Sequence, residues 1–205
     1  MKNALLGVLS LAATLLFAPI MSAPALAADA DPAATQIQNF YDTLLDSMKH
    51  GKELGVTGRY NKLKPVVERT YDLPLMTSLA VGSSWPSIAP SDQQALIQAF
   101  ERMTIANYAK NFDDYNGEKF TVDPAAQVHG TDKVVMSKLV TGGQTIPFNY
   151  RMRQSGETWK VIDVYLNGFV SELATKRSDY GSTLSTGGAP ALVKKLNAMA
   201  DGLMK

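Results

Sequence analysis

Thr158–Tyr180, with the sequence TWKVIDVYLNGFVSELATKRSDY, is the stretch that decides the predicted fold. Its first half is rich in β-branched and aromatic residues, which is typical of a buried strand. Asn167-Gly168 then breaks the strand pattern. Beyond this break, apolar residues recur at helical spacing, at Phe169, Val170, Leu173 and Ala174. The sequence therefore predicts a strand that leads directly into a helix.

Three further strand patterns precede this stretch, at residues 119–128, 134–140 and 145–153. Gly142-Gly143 separates the last two patterns and is typical of a two-residue hairpin loop. Ser155-Gly156 predicts a second two-residue turn before the final strand. We therefore expect a twisted antiparallel sheet of about four strands.

Two-residue loops fix the register of both predicted hairpins. The first loop places Leu139 opposite Ile146 and Val135 opposite Tyr150. For the second hairpin, the predicted pairs are Met152 with Trp159, Tyr150 with Val161, and Phe148 with Asp163. One face of the sheet then collects the apolar side chains of Val135, Leu139, Ile146, Phe148, Tyr150, Met152, Trp159, Val161 and Tyr165. Such a face needs helices packed against it.

Helical patterns flank the strands on both sides in the sequence. They cover residues 32–50, 59–71, 73–79, 91–111, 169–180 and 191–203. Residues 51–58 and 181–190 are predicted to be connecting segments, and Ser91 with Gln94 has the spacing of a capping box. The predicted inner face of the helix that Ser91 opens contains Leu96, Ile97, Phe100, Met103, Thr104, Asn107 and Tyr108. The expected fold class is α+β, with helices on one side of the sheet.

The N-terminal residues have the organisation of a secretory signal peptide. Lys2 is the only charged residue before Asp29, and an apolar run follows it. This run is shorter than the roughly 20 residues that a membrane-spanning helix needs. We therefore expect a cleaved signal peptide at residues 1–27 and a mature periplasmic chain, residues 28–205, that forms one domain.

The composition excludes several classes of function. The sequence has no cysteine, so disulfides, thiolate metal sites and a cysteine nucleophile are excluded. Its two histidines are too few for a histidine-based metal centre. Lys2 belongs to the predicted signal peptide, so the mature chain keeps 19 of the 20 basic residues. These balance the 19 acidic residues, and no net charge attracts nucleic acid. We predict no metal, no cofactor and no nucleic-acid partner.

Asp163 is the sharpest candidate for catalysis. The predicted register places it beside Phe148 on the aromatic face of the sheet. Loss of solvation there would raise the pKa of its carboxyl group and suit it to acid–base work. The alternative is a structural carboxylate bound by Arg177, Lys176, tyrosine hydroxyls or backbone donors. The structural alternative is favoured, because no second catalytic group accompanies Asp163.

A set of short motifs extends over nearly the whole mature chain. It includes Arg69, Tyr71 to Pro74, Gly82, Trp85, Trp159-Lys160-Val161-x-Asp163-Val164, Gly168, Ser171 and Arg177-Ser178. In their order and spacing these motifs resemble the periplasmic lipid-binding family of Mla-type and toluene-tolerance ABC transport systems. The stretch from Asp163 to Ser178 is most similar to the hopanoid-biosynthesis-associated branch of that family. Asn167 departs from the pattern, because an acidic residue is expected before the glycine.

The resemblance implies a lipid carrier whose acyl chains lie between sheet and helices, in a cone similar to nuclear transport factors with extra helices. Its implied cargo is a phospholipid or a hopanoid. Its implied partners are an inner-membrane lipid-transport ABC complex and an outer-membrane lipoprotein or porin complex. We expect a monomer without enzymatic activity. The expected lipid-binding residues are Leu44, Met48, Leu63, Val67, Met76, Leu79, Phe100, Met103, Val135, Phe148, Tyr150, Met152, Trp159, Val161 and Tyr165.

Two alternatives to the carrier stay open at this point. One is a small enzyme of the same cone fold that acts on an apolar substrate through Asp163. The other is a periplasmic adaptor with a closed core. Large flexible side chains such as methionine fill irregular apolar space in a filled core and in a lipid pocket alike, so the sequence does not separate these possibilities.

Overall fold

The computed structural model describes residues 30–205 and confirms the predicted α+β fold. Four α-helices come first, then a seven-stranded sheet, and finally one long helix. The predicted signal peptide lies outside the described residues. Within residues 30–205, no helix combines the length and the apolar composition that crossing a membrane requires.

The four N-terminal helices are α1 Pro32–Lys49, α2 Gly51–Thr70, α3 Leu73–Val81 and α4 Pro90–Asn111, with a 3₁₀ helix at Gly82–Ser87 between α3 and α4. The predicted connector at 51–58 is wrong, because this segment is helical on both sides of a kink at Gly55, whose φ is 59°.

The predicted capping box at Ser91 is also wrong. Helix α4 begins at Pro90, whose ring fixes φ at a value suited to the first helical position.

The strands are β1 Lys119–Val122, β2 Gln127–His129, β3 Asp132–Val135, β4 Ser137–Thr141, β5 Gln144–Ser155, β6 Thr158–Leu166 and β7 Val170–Ser171. The hydrogen-bonded order is β1-β4-β5-β3-β2, and β6 pairs with both β5 and β7. The first two predicted strands are each divided in two. Met136 interrupts the second of them, and its carbonyl accepts a hydrogen bond from Asp123 N at 2.9 Å.

The first predicted hairpin is confirmed. Thr141 pairs with Gln144 across the Gly142-Gly143 loop, and Leu139 pairs with Ile146. Further along β5, the predicted pair of Val135 and Tyr150 also forms, although Val135 belongs to β3 and not to β4. A glycine pair therefore identified both the loop and the register, because few other residues adopt its positive φ angles.

The predicted register of the second hairpin is wrong. Gly156, with a φ of 61°, occupies the first position of the loop, so Ser155 pairs with Thr158. As a result, Met152 lies opposite Val161 and not opposite Trp159. A glycine at the first loop position is typical of a type II′ turn.

A β-bulge follows in β6, where the partner of Met152 is Val161 but the partner of Arg151 is Asp163. The extra residue in β6 exchanges its two faces from that point onward, because side chains alternate along a strand. Tyr150 consequently pairs with Val164, and Phe148 pairs with Leu166 on the helix-covered face. Asp163 and Tyr165 lie on the outer face, beside Arg151 and Asn149.

Helix α5 runs from Glu172 to Leu203 with a kink at Gly188, whose φ is 64°. The predicted loop at 181–190 is therefore wrong for most of its length. The hydroxyls of Ser182, Ser185 and Thr186 bond back to helix carbonyls, as Thr186 Oγ1 does to the Ser182 carbonyl at 3.0 Å. Such bonds satisfy the hydroxyls within the helix, so a Ser/Thr-rich composition does not require a loop.

A buried arginine joins α2 to α4. Arg59 is 6% exposed, and it donates from Nε to the Ala109 carbonyl at 2.7 Å and from Nη1 to the Gly51 carbonyl at 2.5 Å. Gly51 lies so close to the segment after α4 that a Cβ would be 1.9 Å from the Asp113 carbonyl oxygen. The start of α2 is thus packed directly against the end of α4.

Substitution of Gly51 by alanine is expected to destabilise the protein by about 1–3 kcal/mol, because the added methyl group forces the Asp113 backbone to move. Chemical denaturation measures this change. Gly181→Ala on α5 is the matched control: nothing lies within 4 Å of its Cβ position, and alanine favours a helix by up to about 1 kcal/mol. Equal stability of the two variants would contradict the close packing at Gly51.

Candidate functional site

An apolar chamber of about 290 Å³ lies between the inner face of the sheet and the helices. This volume is just below the roughly 300–1,000 Å³ range of small-molecule sites. One group of lining residues, here called the chamber floor, is buried: Tyr41, Leu44, Tyr71, Met76, Phe100, Met103, Tyr150 and Val164. The floor is aromatic and aliphatic, so it suits an apolar ligand.

A second group of lining residues, the chamber rim, is half-buried or exposed: Thr104, Asn107, Asn111, Phe112, Phe120, Phe148, Leu166, Glu172 and Lys176. Tyr108 also lines the chamber and is partly buried. The charged and amide side chains of the chamber all belong to the rim. Polarity therefore increases from the floor towards solvent.

Tyrosine hydroxyls around the floor bond to one another or to the sheet. Tyr41 forms a 2.7 Å hydrogen bond with Ser137 Oγ, and the hydroxyls of Tyr71 and Tyr108 bond to each other. The Tyr41 ring stacks on Phe120 with centroids 4.4 Å apart. Because these polar ends are satisfied, the rings offer apolar surface to the chamber.

The structure brings some of the residues expected to bind lipid to the chamber, namely Leu44, Met76, Phe100, Met103, Phe148 and Tyr150. A second set is buried in the core around it: Met48, Leu63, Val67, Val135, Met152 and Val161. Trp159 lies under the Lys133 ammonium group, which is 4.4 Å from the ring centroid. Leu79 lines a small recess beside Arg177, and Tyr165 lines an outer recess on the opposite face of the sheet.

Several chamber residues are not among those that the sequence predicts to bind lipid. Val164 and Leu166 lie on the inner face only because of the bulge in β6, which has no marker in the sequence. Thr104, Asn107 and Tyr108 lie on the predicted inner face of α4, but they are not among the residues expected to bind lipid. The sequence indicates a site at these three positions only in that polar groups interrupt an otherwise apolar helix face.

Asp163 lies on the outer face of the sheet, so its predicted place beside Phe148 is wrong. Its carboxylate accepts hydrogen bonds from Val164 N at 2.8 Å, Ser171 Oγ at 2.6 Å and Leu173 N at 3.1 Å. These hydrogen bonds connect the first turn of α5 to β6. Asp163 is therefore a structural carboxylate, the alternative to a catalytic one. Among the described residues, no group of His, Asp and Glu side chains is arranged to hold a metal ion.

Three comparisons place the chain among known proteins. The family model described as MlaC protein matches residues 38–198, and the chain belongs to this family. Toluene tolerance protein ttg2D from Pseudomonas putida is 35% identical over 81 residues, which cover 38% of this chain and 37% of that protein. The matched part thus spans little more than a third of that relative.

The structure is similar to that of a phospholipid-binding protein from Ralstonia solanacearum, solved in complex with a phospholipid. The TM-score is 0.75, and the match covers 85% of this chain and 100% of the other. The sequences are 22% identical, so this similarity establishes a common fold.

Burial of the floor tyrosines predicts a loss of stability at alkaline pH. It raises the pKa of Tyr41 to about 12, from an ordinary value of 10.0, and it raises the pKa values of Tyr71 and Tyr150 well above their ordinary range. Since the folded state holds these protons more tightly, the tyrosines contribute fully to the free energy of unfolding below pH 10. This contribution falls as the pH rises towards 12. The decrease in the free energy of unfolding caused by Tyr41 alone approaches about 3 kcal/mol.

Denaturation at pH 8 and at a series of values above pH 10 measures this effect. Tyr41→Phe should show a shallower decrease with pH than the unmodified chain, because it lacks one of the titrating groups. An identical pH dependence for the two proteins would contradict the assignment.

Proposed function

We propose that this protein is a periplasmic carrier that binds a phospholipid, with the acyl chains in the apolar chamber. The observation that carries this proposal is the chamber itself, with a buried apolar floor and a polar rim. Membership in the MlaC family and a fold shared with a phospholipid-binding protein support it. A closed-core adaptor does not account for the chamber, and an enzyme acting through Asp163 does not account for the position of that residue outside it.

The energetics explain why such a carrier needs docked partners. Two acyl chains of about 16 carbons each would cost about 25 kcal/mol to expose to water, at roughly 0.8 kcal/mol per CH₂ group. A chamber and a bilayer are both apolar, so transfer between them needs only a small free-energy difference. We therefore infer that lipid enters and leaves while the rim is covered by a membrane complex.

The route that fits this carrier runs between an inner-membrane ABC complex and an outer-membrane lipoprotein or porin complex. Export would depend on a signal peptide at residues 1–27, and residues 28–205 would act as a monomeric lipid-binding domain. A hopanoid is the alternative cargo, suggested by the branch that the stretch from Asp163 to Ser178 resembles.

The identity of the cargo is testable on protein purified from the periplasm of its native host. Denaturation, extraction with organic solvent and mass spectrometry should give about one phospholipid per chain. A stoichiometric hopanoid would support the carrier function but would identify the cargo as a hopanoid and not a phospholipid. An extract that is empty even after incubation with host membranes would contradict the carrier.

Filling the chamber should reduce lipid loading without loss of fold. Val164 belongs to the floor and is 8% exposed, so Val164→Phe directs a ring into the space assigned to the acyl chains. We expect several-fold less lipid per protein by mass spectrometry, at a stability cost of about 1–3 kcal/mol.

Val128→Phe is the matched control, because it adds the same volume at a site that is 71% exposed in β2. This variant should bind lipid like the unmodified chain. If Val164→Phe remains folded and carries a full lipid load, the chamber is not where the chains lie.

A further inference from the structure

We propose that Glu172 and Lys176 form a binding site for a zwitterionic lipid headgroup at the chamber rim. Lys176 binds the phosphate, and Glu172 binds the ammonium group of a phosphatidylethanolamine-type headgroup. This inference rests on the proposed carrier function and adds a specificity that the acyl-chain chamber cannot supply, because acyl chains are shared by many lipids.

The polar side chains of α4 that line the chamber become more exposed along the helix. Phe100 and Met103 belong to the buried floor, Thr104 follows, and Asn107 and Asn111 are exposed at the rim. At 1.5 Å per residue, this gradient extends over about 16 Å from Phe100 to Asn111. A phospholipid with its chains on the floor presents its ester groups next and its charged headgroup last.

Thr104 offers an unused polar atom at the position of the ester groups. Its Oγ1 is buried and has no hydrogen-bond partner among the described residues. Hydroxyls on helices commonly donate to the carbonyl three or four residues earlier, but this one does not. A buried hydroxyl without a partner is unfavourable, and rotation of the Thr104 side chain towards the chamber would let it donate to an ester carbonyl.

The charge at the rim consists of one cation and one anion. Among the described residues that line the chamber, only Glu172 and Lys176 are charged, and their Nζ and Oε2 atoms are 3.3 Å apart. Their side chains are 30% and 25% exposed, respectively, so a headgroup at the rim can reach both. Lys176 uses one of its three donors on Glu172, which leaves donors for phosphate oxygens.

The composition of this pair favours one class of headgroup. A phosphate alone would be attracted by Lys176 and repelled by Glu172. A headgroup that carries both a phosphate and an ammonium group satisfies the two side chains together, whereas an uncharged hopanoid satisfies neither. A partly exposed pair at this helical spacing adds only about 0.3–0.5 kcal/mol to stability, so removal of either charge should leave the fold intact.

The test loads the delipidated mature chain from vesicles of equal phosphatidylethanolamine and phosphatidylglycerol content, and mass spectrometry then quantifies the lipid on the reisolated protein. The unmodified chain should carry more phosphatidylethanolamine than phosphatidylglycerol. Lys176→Gln should lower total phospholipid roughly five- to tenfold, because a charge-assisted contact to phosphate is lost. Glu172→Gln should keep the total and shift the ratio towards phosphatidylglycerol.

Two further variants serve as controls. Lys194→Gln removes the same charge from an exposed position of α5 outside the chamber lining, and it should leave both total and ratio unchanged. Lys176→Arg keeps the positive charge and should load close to the unmodified level. Thermal unfolding of all four variants should match that of the unmodified chain, which separates a binding role from a structural one.

The outcomes distinguish this inference from the function on which it rests. If the unmodified chain takes up no lipid, the carrier function fails. The unmodified chain could instead take up lipid without a headgroup preference, with Lys176→Gln and Glu172→Gln loading like Lys194→Gln. That result would contradict the headgroup site but not the carrier function. Loss of loading in Lys176→Arg as well as in Lys176→Gln would also overturn a site that depends on charge.

Discussion

The β-bulge in β6 is the feature on which the chamber depends. It exchanges the two faces of the strand after Val161, so Val164 and Leu166 face the helices and Asp163 faces outward. Asp163 then accepts hydrogen bonds from Ser171 and Leu173 at the start of α5. One extra residue thus supplies part of the chamber wall and positions the helix that carries Glu172 and Lys176.

The chamber combines rigid and adaptable walls. Tyr41, Tyr71 and Tyr108 have few rotatable bonds, and their hydroxyls are tied to Ser137 or to each other. Met76 and Met103 line the same space, and methionine adapts its shape to its neighbours. Aromatic rings held in place by hydrogen bonds can maintain the volume of the chamber, while methionine side chains adjust to acyl chains of different length. This division suits a ligand that is apolar but variable in length.

Much of the fold could be predicted from the sequence where local chemistry decides the structure. Gly142-Gly143 identified one hairpin and its register, and the helix at 32–50 was correctly placed because Asp31 and Pro32 mark its start. Ser/Thr and Gly content misled the prediction at 51–58 and 181–190, because tertiary packing can keep such segments helical. Local composition is therefore informative about turns and helix starts, and less so about long helices.

The candidate site was less predictable than the fold. Its floor residues on α1, α3 and α4 follow from helical periodicity, but the contribution of β6 depends on a bulge that leaves no mark in the pattern. Whether apolar side chains meet in a filled core or around a space depends on packing between distant elements. Hydrophobic patterning specifies which faces are buried and carries no information on the volume between them.

A crystal structure of the lipid-loaded mature chain would show most directly where the acyl chains lie. If they occupy the chamber, their density lies between α4 and the inner face of the sheet, in contact with Phe100, Tyr150 and Val164. Acyl-chain density in the outer recess beside Tyr165, with the chamber filled by protein side chains, would contradict this placement.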